Sequence, residues 1–109
     1  MRHAIYACNM IMRPLKSYIE RGTTDEHVLK AVQILNQLED DELAFIMAKY
    51  VTLAKFSNDA RIISVPTATE LKEHLQLGGK AFGMLKYRAN EKVYNLNYQR
   101  YLGERPPLY

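Results

Sequence analysis

The sequence is poor in cysteine and has no long apolar run, and each shortage excludes a class of protein. Its single cysteine, Cys8, cannot form an internal disulfide, which suits a reducing compartment such as the cytoplasm. No run of about 18 apolar residues is present, so no membrane span is expected. The first residues also lack the long apolar region and cleavage site of a signal peptide. We therefore expect a cytoplasmic protein in which Cys8 is a small buried apolar residue.

The chain also lacks the residue patterns of common enzymes and metal-binding proteins. Its histidines, His3, His27 and His74, are not spaced as a zinc-binding pair. There is no Gly-rich phosphate loop and no Gly-x-Ser-x-Gly nucleophile motif. The acidic residues 39–42 are expected to lie at a helix N-terminus, where negative charge is favourable, rather than to hold a metal. We expect no catalytic residues, no metal site and no cofactor.

Charge is modest overall but unevenly distributed. The formal net charge is +3, yet residues 20–45 carry a net charge of −5 and residues 78–109 a net charge of +4. A basic C-terminal third beside an acidic centre would orient the chain on a polyanion. The same distribution also fits an ordinary solvated surface, and both interpretations stay open.

Apolar periodicity and capping signals predict a small all-α domain. Pro14 is expected to open a short helix that continues to about Arg21 and ends at Gly22, whereas the segment before Pro14 suits a strand or a helix. Thr23 and Glu26 form a capping box for the next helix. The apolar face of that helix is predicted to contain Val28, Ala31, Val32, Leu35 and Leu38.

A second predicted helix, at about 42–56, begins behind Asp40 and Asp41 and is apolar almost all round. Such a helix is either central to the core or covered by a partner. Phe45 and Leu53 are predicted to project away from its main apolar side, so we assign them to partner binding. The N-terminal segment, a second copy or another protein would cover them. A short strand is expected near residues 62–65.

Residues 67–86 space their apolar side chains as a helix-turn-helix does. Thr67 and Glu70 form a capping box for its first helix. The residues expected in its core are Leu71, Leu75, Leu77, Phe82 and Leu85. The second helix continues this apolar seam through Ala89, Val93 and Leu96. The predicted map of the single domain, 1–109, is an N-terminal extension (1–22), a two-helix core (23–56), a helix-turn-helix (67–96) and a basic, tyrosine-rich tail (97–109).

The outer face of the second motif helix supplies the candidate nucleic-acid contacts. The residues assigned to it are Gly79, Lys80, Met84, Lys86, Tyr87, Arg88 and Lys92. Further along, Tyr94, Tyr98 and Tyr101 alternate with basic residues, a pattern that suits base stacking combined with phosphate contacts. It equally suits a helix edge that packs on the N-terminal segment.

Two groups of residues carry a resemblance to a known family. The first group is Ala31, Leu35, Leu38, Glu42, Phe45, Ile46 and Tyr50. The second group is Thr67, Glu70, Leu71, Leu75, Leu77, Phe82, Leu85, Arg88 and Ala89. Over residues 27–93 this pattern resembles region 4 of bacterial sigma-70-type factors and the small phage regulators and antiterminators built on it. The resemblance implies a helix-turn-helix domain that acts on promoter DNA, on RNA polymerase, or on both.

The chain departs from the family pattern at positions that bear on function. Lys72 replaces a small alanine of the first motif helix, and Gln76 replaces the glycine of the turn. Glutamine adopts a positive φ less readily than glycine does. On the predicted reading face, Gly79, Gly83 and Met84 cannot form the bidentate hydrogen bonds that identify a base. We therefore expect the fold of the family and only limited base reading.

Three hypotheses of function follow from the sequence. The first is a small transcription regulator, encoded by a phage or mobile element, with DNA as its partner and RNA polymerase or a second copy of the chain as further candidates. The second is a protein-binding module or inhibitor with the same fold. The third is a non-specific RNA- or single-stranded-DNA-binding protein. An enzyme is disfavoured because no nucleophile–base pair or metal set is present.

Overall fold

The protein is all-α, as the sequence predicts. The computed structural model describes residues 2–22, 26–56 and 63–101. The described elements, in order, are α1 (Arg2–Met12), α2 (Leu15–Arg21), α3 (Glu26–Leu35), α4 (Asp40–Met47), a π-helical turn (Ala48–Thr52), β1 (Lys55–Phe56), β2 (Ile63–Ser64), α5 (Ala68–Leu75) and α6 (Gly79–Tyr101). None of the described helices is long and apolar enough to cross a membrane.

Local signals place two helix ends where the sequence predicts them. Helix α2 follows Pro14 and ends at Gly22, which adopts the left-handed conformation with φ 69°. At the start of α5 the backbone N–H of Glu70 donates to Thr67 Oγ1 at 3.2 Å, and the N–H of Thr67 donates to Glu70 Oε1 at 3.0 Å. This confirms the second capping box. The first predicted box, at Thr23, lies outside the described residues.

The predicted helix over 42–56 is wrong in its second half. The α-helix ends at Met47, and the chain continues as a π-helical turn in which the N–H of Leu53 donates to the carbonyl of Ala48 at 2.9 Å. This wider turn buries three consecutive residues from Ala48 to Tyr50, whereas a regular α-helix with one apolar face would expose at least one of them. β1 then pairs antiparallel with β2.

Helix α6 lies at the centre of the fold and packs most extensively against α1 and next against α4. Its predicted seam is confirmed, because Phe82, Leu85, Ala89 and Val93 are buried and Leu96 is half-buried against them. The seam recurs every three or four residues, which keeps it on one side of a long helix.

The described residues 2–22, predicted as an N-terminal extension, contribute side chains to the core. Cys8 and Met12 of α1 and Leu15 of α2 have at most 1% of their surface exposed and belong to the same core as α6. Ala4, Cys8 and Met12 recur at intervals of four, so they form one buried stripe along α1. The burial of Cys8 confirms the expectation for the single thiol.

The buried face of α3 differs from the prediction by a rotation of the helix. Ala31 and Ile34 are buried, whereas Val32 is 41% exposed. Leu35 and Leu38 pack partly against the core. The periodicity itself is correct, but the apolar stripe is wider than the buried face, and tertiary packing selects Ile34 instead of Val32.

Candidate nucleic-acid interface

Three residues connect α5 to α6, and one of them adopts a left-handed backbone. Gln76 has φ 56°, and the N–H of Leu77 donates to the carbonyl of Lys72 at 3.1 Å, closing the end of α5. Gln76 therefore adopts a positive φ, which glutamine adopts less readily than glycine does. Gly78 and Gly79 do not have a positive φ.

The residues predicted to form the core of this segment lie at two levels of burial. Leu71, Phe82 and Leu85 are buried, with exposures of 3–5%, and share one cluster. Leu75 and Leu77 are half-buried against it. Helix α5 packs mainly against the π-helical turn. Its buried residue, Leu71, anchors α5 to the core.

The outer face of α6 is open along its first three turns. Gly79, Lys80 and Gly83 are exposed, and a side chain built at either glycine would meet nothing within 4 Å. Met84 is 60% exposed and Tyr87 is 53% exposed. These residues share a solvent-facing surface, which we call the α6 face and define as Gly79, Lys80, Gly83, Met84 and Tyr87.

The other predicted nucleic-acid contacts are Arg88, Lys92 and Lys86. They differ from the α6 face because they form ion pairs or are half-buried. Arg88 Nη2 lies 2.8 Å from Asp41 Oδ2, and Arg88 Nη1 lies 3.6 Å from Glu42 Oε2. Lys92 Nζ lies 3.1 Å from Glu42 Oε1. Lys86 is half-buried. The structure thus brings the predicted residues onto one helix but leaves only part of their charge uncompensated.

These ion pairs change the meaning of the uneven charge distribution. The acidic start of α4 and the basic middle of α6 are separate in sequence but adjacent in the fold. The guanidinium of Arg88 holds the pKa of Asp41 below its ordinary value, and Asp41 in turn raises the pKa of Arg88. Part of the predicted charge asymmetry is therefore compensated by ion pairs between α4 and α6.

Glu42 is the central residue of this contact, and its pairing with α6 was not predicted from the sequence. It is only 4% exposed. Its Oε1 accepts the backbone N–H of Glu39 at 2.9 Å, which completes a capping box at the start of α4. The same carboxylate therefore caps α4 and attaches it to α6. The prediction that residues 39–42 lie at a helix N-terminus is confirmed, because α4 begins at Asp40.

Phe45 and Leu53 do not form an exposed partner surface. Phe45 is fully buried, with its ring centroid 5.8 Å from that of Phe82 at an interplanar angle of 54°. Leu53 is half-buried against the core. The prediction that Phe45 projects away from the core is wrong because α6 packs on that side of α4.

A buried polar cluster lies between α1 and the π-helical turn. The hydroxyl of Tyr50 donates to Asn9 Oδ1 at 2.5 Å. Burial raises the pKa of the Cys8 thiol to about 11, although a hydrogen bond with Tyr50 and the charge of Lys49 both lower it. Lys49 itself is 8% exposed. The only sequence signal for this cluster is a lysine inside an apolar segment.

The tyrosines of the C-terminal helix are described only in part. Tyr94 is half-buried on α6, the helix that packs against α1. The side chains of Tyr98 and Tyr101 and everything after residue 101 lie outside the described residues.

No family model, characterised protein or solved structure matches this chain. Within the described ranges, no three His, Cys, Asp or Glu side chains are grouped as metal ligands.

Proposed function

We propose that this protein is a small transcription regulator that binds DNA through the α6 face. The observation that carries the proposal is the arrangement of residues 68–101. A short helix, a three-residue connection and a long helix place Leu71, Phe82 and Leu85 inward. They leave the first turns of α6 open to solvent, which is the arrangement that a helix needs to enter a major groove.

The charges of α6 favour a contact dominated by the DNA backbone. Lys80 is exposed at the start of the helix and Lys86 is half-buried one and a half turns later. Arg88 and Lys92 would contact phosphates only by exchanging their carboxylate partners for them. Each phosphate that a cation neutralises adds about 0.9 to the magnitude of the slope of log K against log salt. We therefore expect weak, strongly salt-dependent binding.

Side chains able to read bases are few on the α6 face. Glycines at 79 and 83 allow close approach to the duplex, and Met84 offers only apolar contact, for example with a thymine methyl group. Tyr87 is the side chain that combines an aromatic ring with a hydrogen-bonding group. We assign sequence preference to Tyr87 and non-specific affinity to Lys80.

Two matched pairs of variants test this assignment. Tyr87→Ala is compared with Tyr6→Ala, because Tyr6 is also an exposed tyrosine, on α1 (67% exposed, against 53% for Tyr87). Lys80→Ala is compared with Lys55→Ala, because Lys55 is an exposed lysine on β1. Fluorescence anisotropy with a panel of labelled duplexes should show that Tyr87→Ala changes the ranking of sequences. Lys80→Ala should weaken all of them.

The controls decide the interpretation of this experiment. Tyr6→Ala and Lys55→Ala should bind as the unmodified protein does. If both members of each pair behave alike, the α6 face is not the DNA contact and the proposal fails. Sedimentation of the complex shows whether a monomer or a homodimer binds.

A protein-binding function is the second candidate, and the composition of the α6 face favours it. Two glycines, Met84 and Tyr87 make this face more apolar than most base-reading helices, and Met and Tyr are enriched where proteins meet. The resemblance to sigma region 4 suggests bacterial RNA polymerase as the partner. In this role the protein would act as a module or inhibitor on the polymerase surface.

A pull-down with nuclease present separates the two candidates. Met84→Asp should abolish retention of purified RNA polymerase if the α6 face binds it. Met10→Asp is the matched control, because Met10 is 62% exposed on α1 and Met84 is 60% exposed on α6. Retention that both substitutions leave unchanged would exclude the α6 face as the polymerase contact.

A further inference from the structure

The outer side of α1 carries a line of exposed residues with an apolar centre. His3, Tyr6, Met10 and Arg13 are all exposed and recur at intervals of three or four residues, so they lie along one face of the helix. We call these four residues the α1 stripe. Tyr6 and Met10, at its centre, are each more than half exposed. The surrounding charge is positive, because residues 1–19 contain three arginine or lysine residues and no acidic residue.

The outer side of α3 carries a second apolar stripe, and its surroundings are acidic. Leu29 is more than half exposed and Val32 is 41% exposed. They are three residues apart and therefore neighbours on one helix face; we call them the α3 stripe. Glu26 is exposed at the start of α3 and Asp40 is exposed beyond its end. Residues 26–41 contain four acidic residues and one lysine.

Helices α1 and α3 form one layer on α6. The two helices contact each other, and both contact α6. Cys8 of α1 and Ala31 of α3 belong to the same core as α6, so the two stripes lie on the outside of the layer, away from α6. Four of the eight large apolar side chains that are exposed in the described part of the chain belong to these stripes. Exposed apolar surface that is concentrated in this way marks a contact with another protein.

We propose that the α1 stripe of one copy packs on the α3 stripe of a second copy, forming a twofold-symmetric dimer. A twofold axis that runs between the two helices and within the contact places α1 over the partner's α3 and α3 over the partner's α1. Both apolar stripes are then buried, and the basic surface of each copy meets the acidic surface of the other. Packing of α1 on α1, or of α3 on α3, would bring like charges together and oppose association.

The charges that would meet across this contact are not already compensated within one copy. Arg13 and Asp40 are exposed and form no ion pair with another residue that the structure describes. The neighbouring Asp41, in contrast, is paired with Arg88 of its own chain. Opposite charges that are free in each copy can therefore select the arrangement of the dimer.

The size of the two helices sets the expected strength of the dimer. They contain 11 and 10 residues, so each is about 15 Å long. That is short for the roughly 800 Å² that each partner buries in a stable interface. We therefore expect a dimer that dissociates on dilution.

The dimer goes beyond the proposed function and does not depend on it. Because the two stripes lie on the side of the layer away from α6, the α6 face of each copy stays open. Each copy keeps a complete α6 face, so substitutions at Tyr6 and Met10 leave the contact of one copy with DNA or RNA polymerase unchanged.

Sedimentation equilibrium of the full chain without DNA tests the dimer. The variants are Met10→Asp in the α1 stripe and Leu29→Lys in the α3 stripe. Phe56→Asp is the control, because Phe56 is an exposed apolar residue on β1, outside both stripes. The unmodified protein and Phe56→Asp should show a monomer–dimer equilibrium. Each stripe variant should raise the dimer dissociation constant about tenfold or more, because it places a charge in an apolar contact.

An equimolar mixture of Met10→Asp and Leu29→Lys identifies which helices meet. The mixture should dimerise again, because the introduced carboxylate faces the introduced ammonium in one half of the contact and the other half is unmodified. A mixture that stays monomeric refutes the pairing of α1 with α3. A dimer that Met10→Asp disrupts and Leu29→Lys does not would indicate contact between two copies of α1, and it also refutes the pairing.

Two further results would overturn the dimer itself. One is an unmodified protein that is monomeric at every concentration, and the other is a dimer that neither stripe variant weakens. If circular dichroism shows that either variant does not fold, Tyr6→Asp and Val32→Lys replace the pair, because they lie on the same two stripes. DNA binding by a protein that is always monomeric would refute the dimer and leave the proposed function in place. A dimer that does not bind DNA would do the reverse.

Discussion

Removing the carboxylates that pair with α6 should strengthen DNA binding. The double substitution Asp41→Asn/Glu42→Gln keeps the shape of both side chains but removes their charges. Arg88 and Lys92 then lose the partners that lie 2.8 Å and 3.1 Å away. Because both cations are on α6, and 45% and 33% of their side-chain surfaces are exposed, they become available to phosphates.

The expected magnitudes follow from the geometry. Two released cations, each contacting one phosphate, steepen the dependence of log K on log salt by about 1.8 in total. Stability should fall by more than the ~0.2–1 kcal/mol that an exposed ion pair contributes, because Glu42 is only 4% exposed. The amide oxygen of glutamine still accepts the N–H of Glu39, so the cap of α4 is retained.

Fluorescence anisotropy at several salt concentrations measures this effect. The control is Asp40→Asn/Glu73→Gln, which removes the same net charge from two exposed carboxylates. A general change in net charge would affect both double variants equally. If the salt dependence of Asp41→Asn/Glu42→Gln matches that of the control or of the unmodified protein, Arg88 and Lys92 do not face DNA. The electrostatic part of the proposal is then refuted.

Three further predictions test the core, the thiol and the turn. Phe45→Ala should lower the free energy of unfolding by about 3–5 kcal/mol, because it empties a fully buried site. Leu53→Ala should lower it by clearly less. Equal effects of the two substitutions in chemical denaturation would contradict the burial of Phe45. Cys8 should resist alkylation in the native state, because a pKa of about 11 reduces its thiolate population at pH 7 by about 100-fold. Rapid labelling of the native protein would contradict this. Gln76→Gly should raise the melting temperature, because a side chain at φ 56° costs up to about 1 kcal/mol; a lower melting temperature would argue against the left-handed turn.

The parts of the fold that are predictable from sequence depend on local interactions. Pro14 and Gly22 mark the ends of α2 because each residue restricts or permits particular backbone angles near itself. Thr67 and Glu70 start α5 through hydrogen bonds within one turn. The seam of α6 is visible because a long helix repeats its buried positions many times.

The parts that are not predictable depend on contacts between distant segments. Phe45 is buried by α6, and nothing near it in sequence indicates which helix covers α4. The π-helical turn, which includes the hydrogen bond from Leu53 N–H to the carbonyl of Ala48, has no signal in residue type. α1 belongs to the core because its apolar stripe meets α6, although the segment before Pro14 suited a strand as well.

The features of the candidate site also divide into local ones that the sequence predicts and long-range contacts that it does not. The exposure of Lys80, Met84 and Tyr87 follows from the phase of a helix whose buried face is known. The pairing of Arg88 with Asp41 joins residues 47 positions apart, and the pairing of Lys92 with Glu42 likewise joins α6 to α4. Such contacts depend on how the helices dock, which periodicity does not encode.

The central claim is that the α6 face contacts DNA, and amide NMR spectroscopy tests it most directly. A DNA duplex is titrated at low salt into uniformly labelled protein, and shift changes are assigned to residues. The account predicts changes concentrated between Gly79 and Tyr87, with little change at Tyr6 and Met10 on α1. Changes confined to α1, or no changes at any duplex concentration, would contradict it.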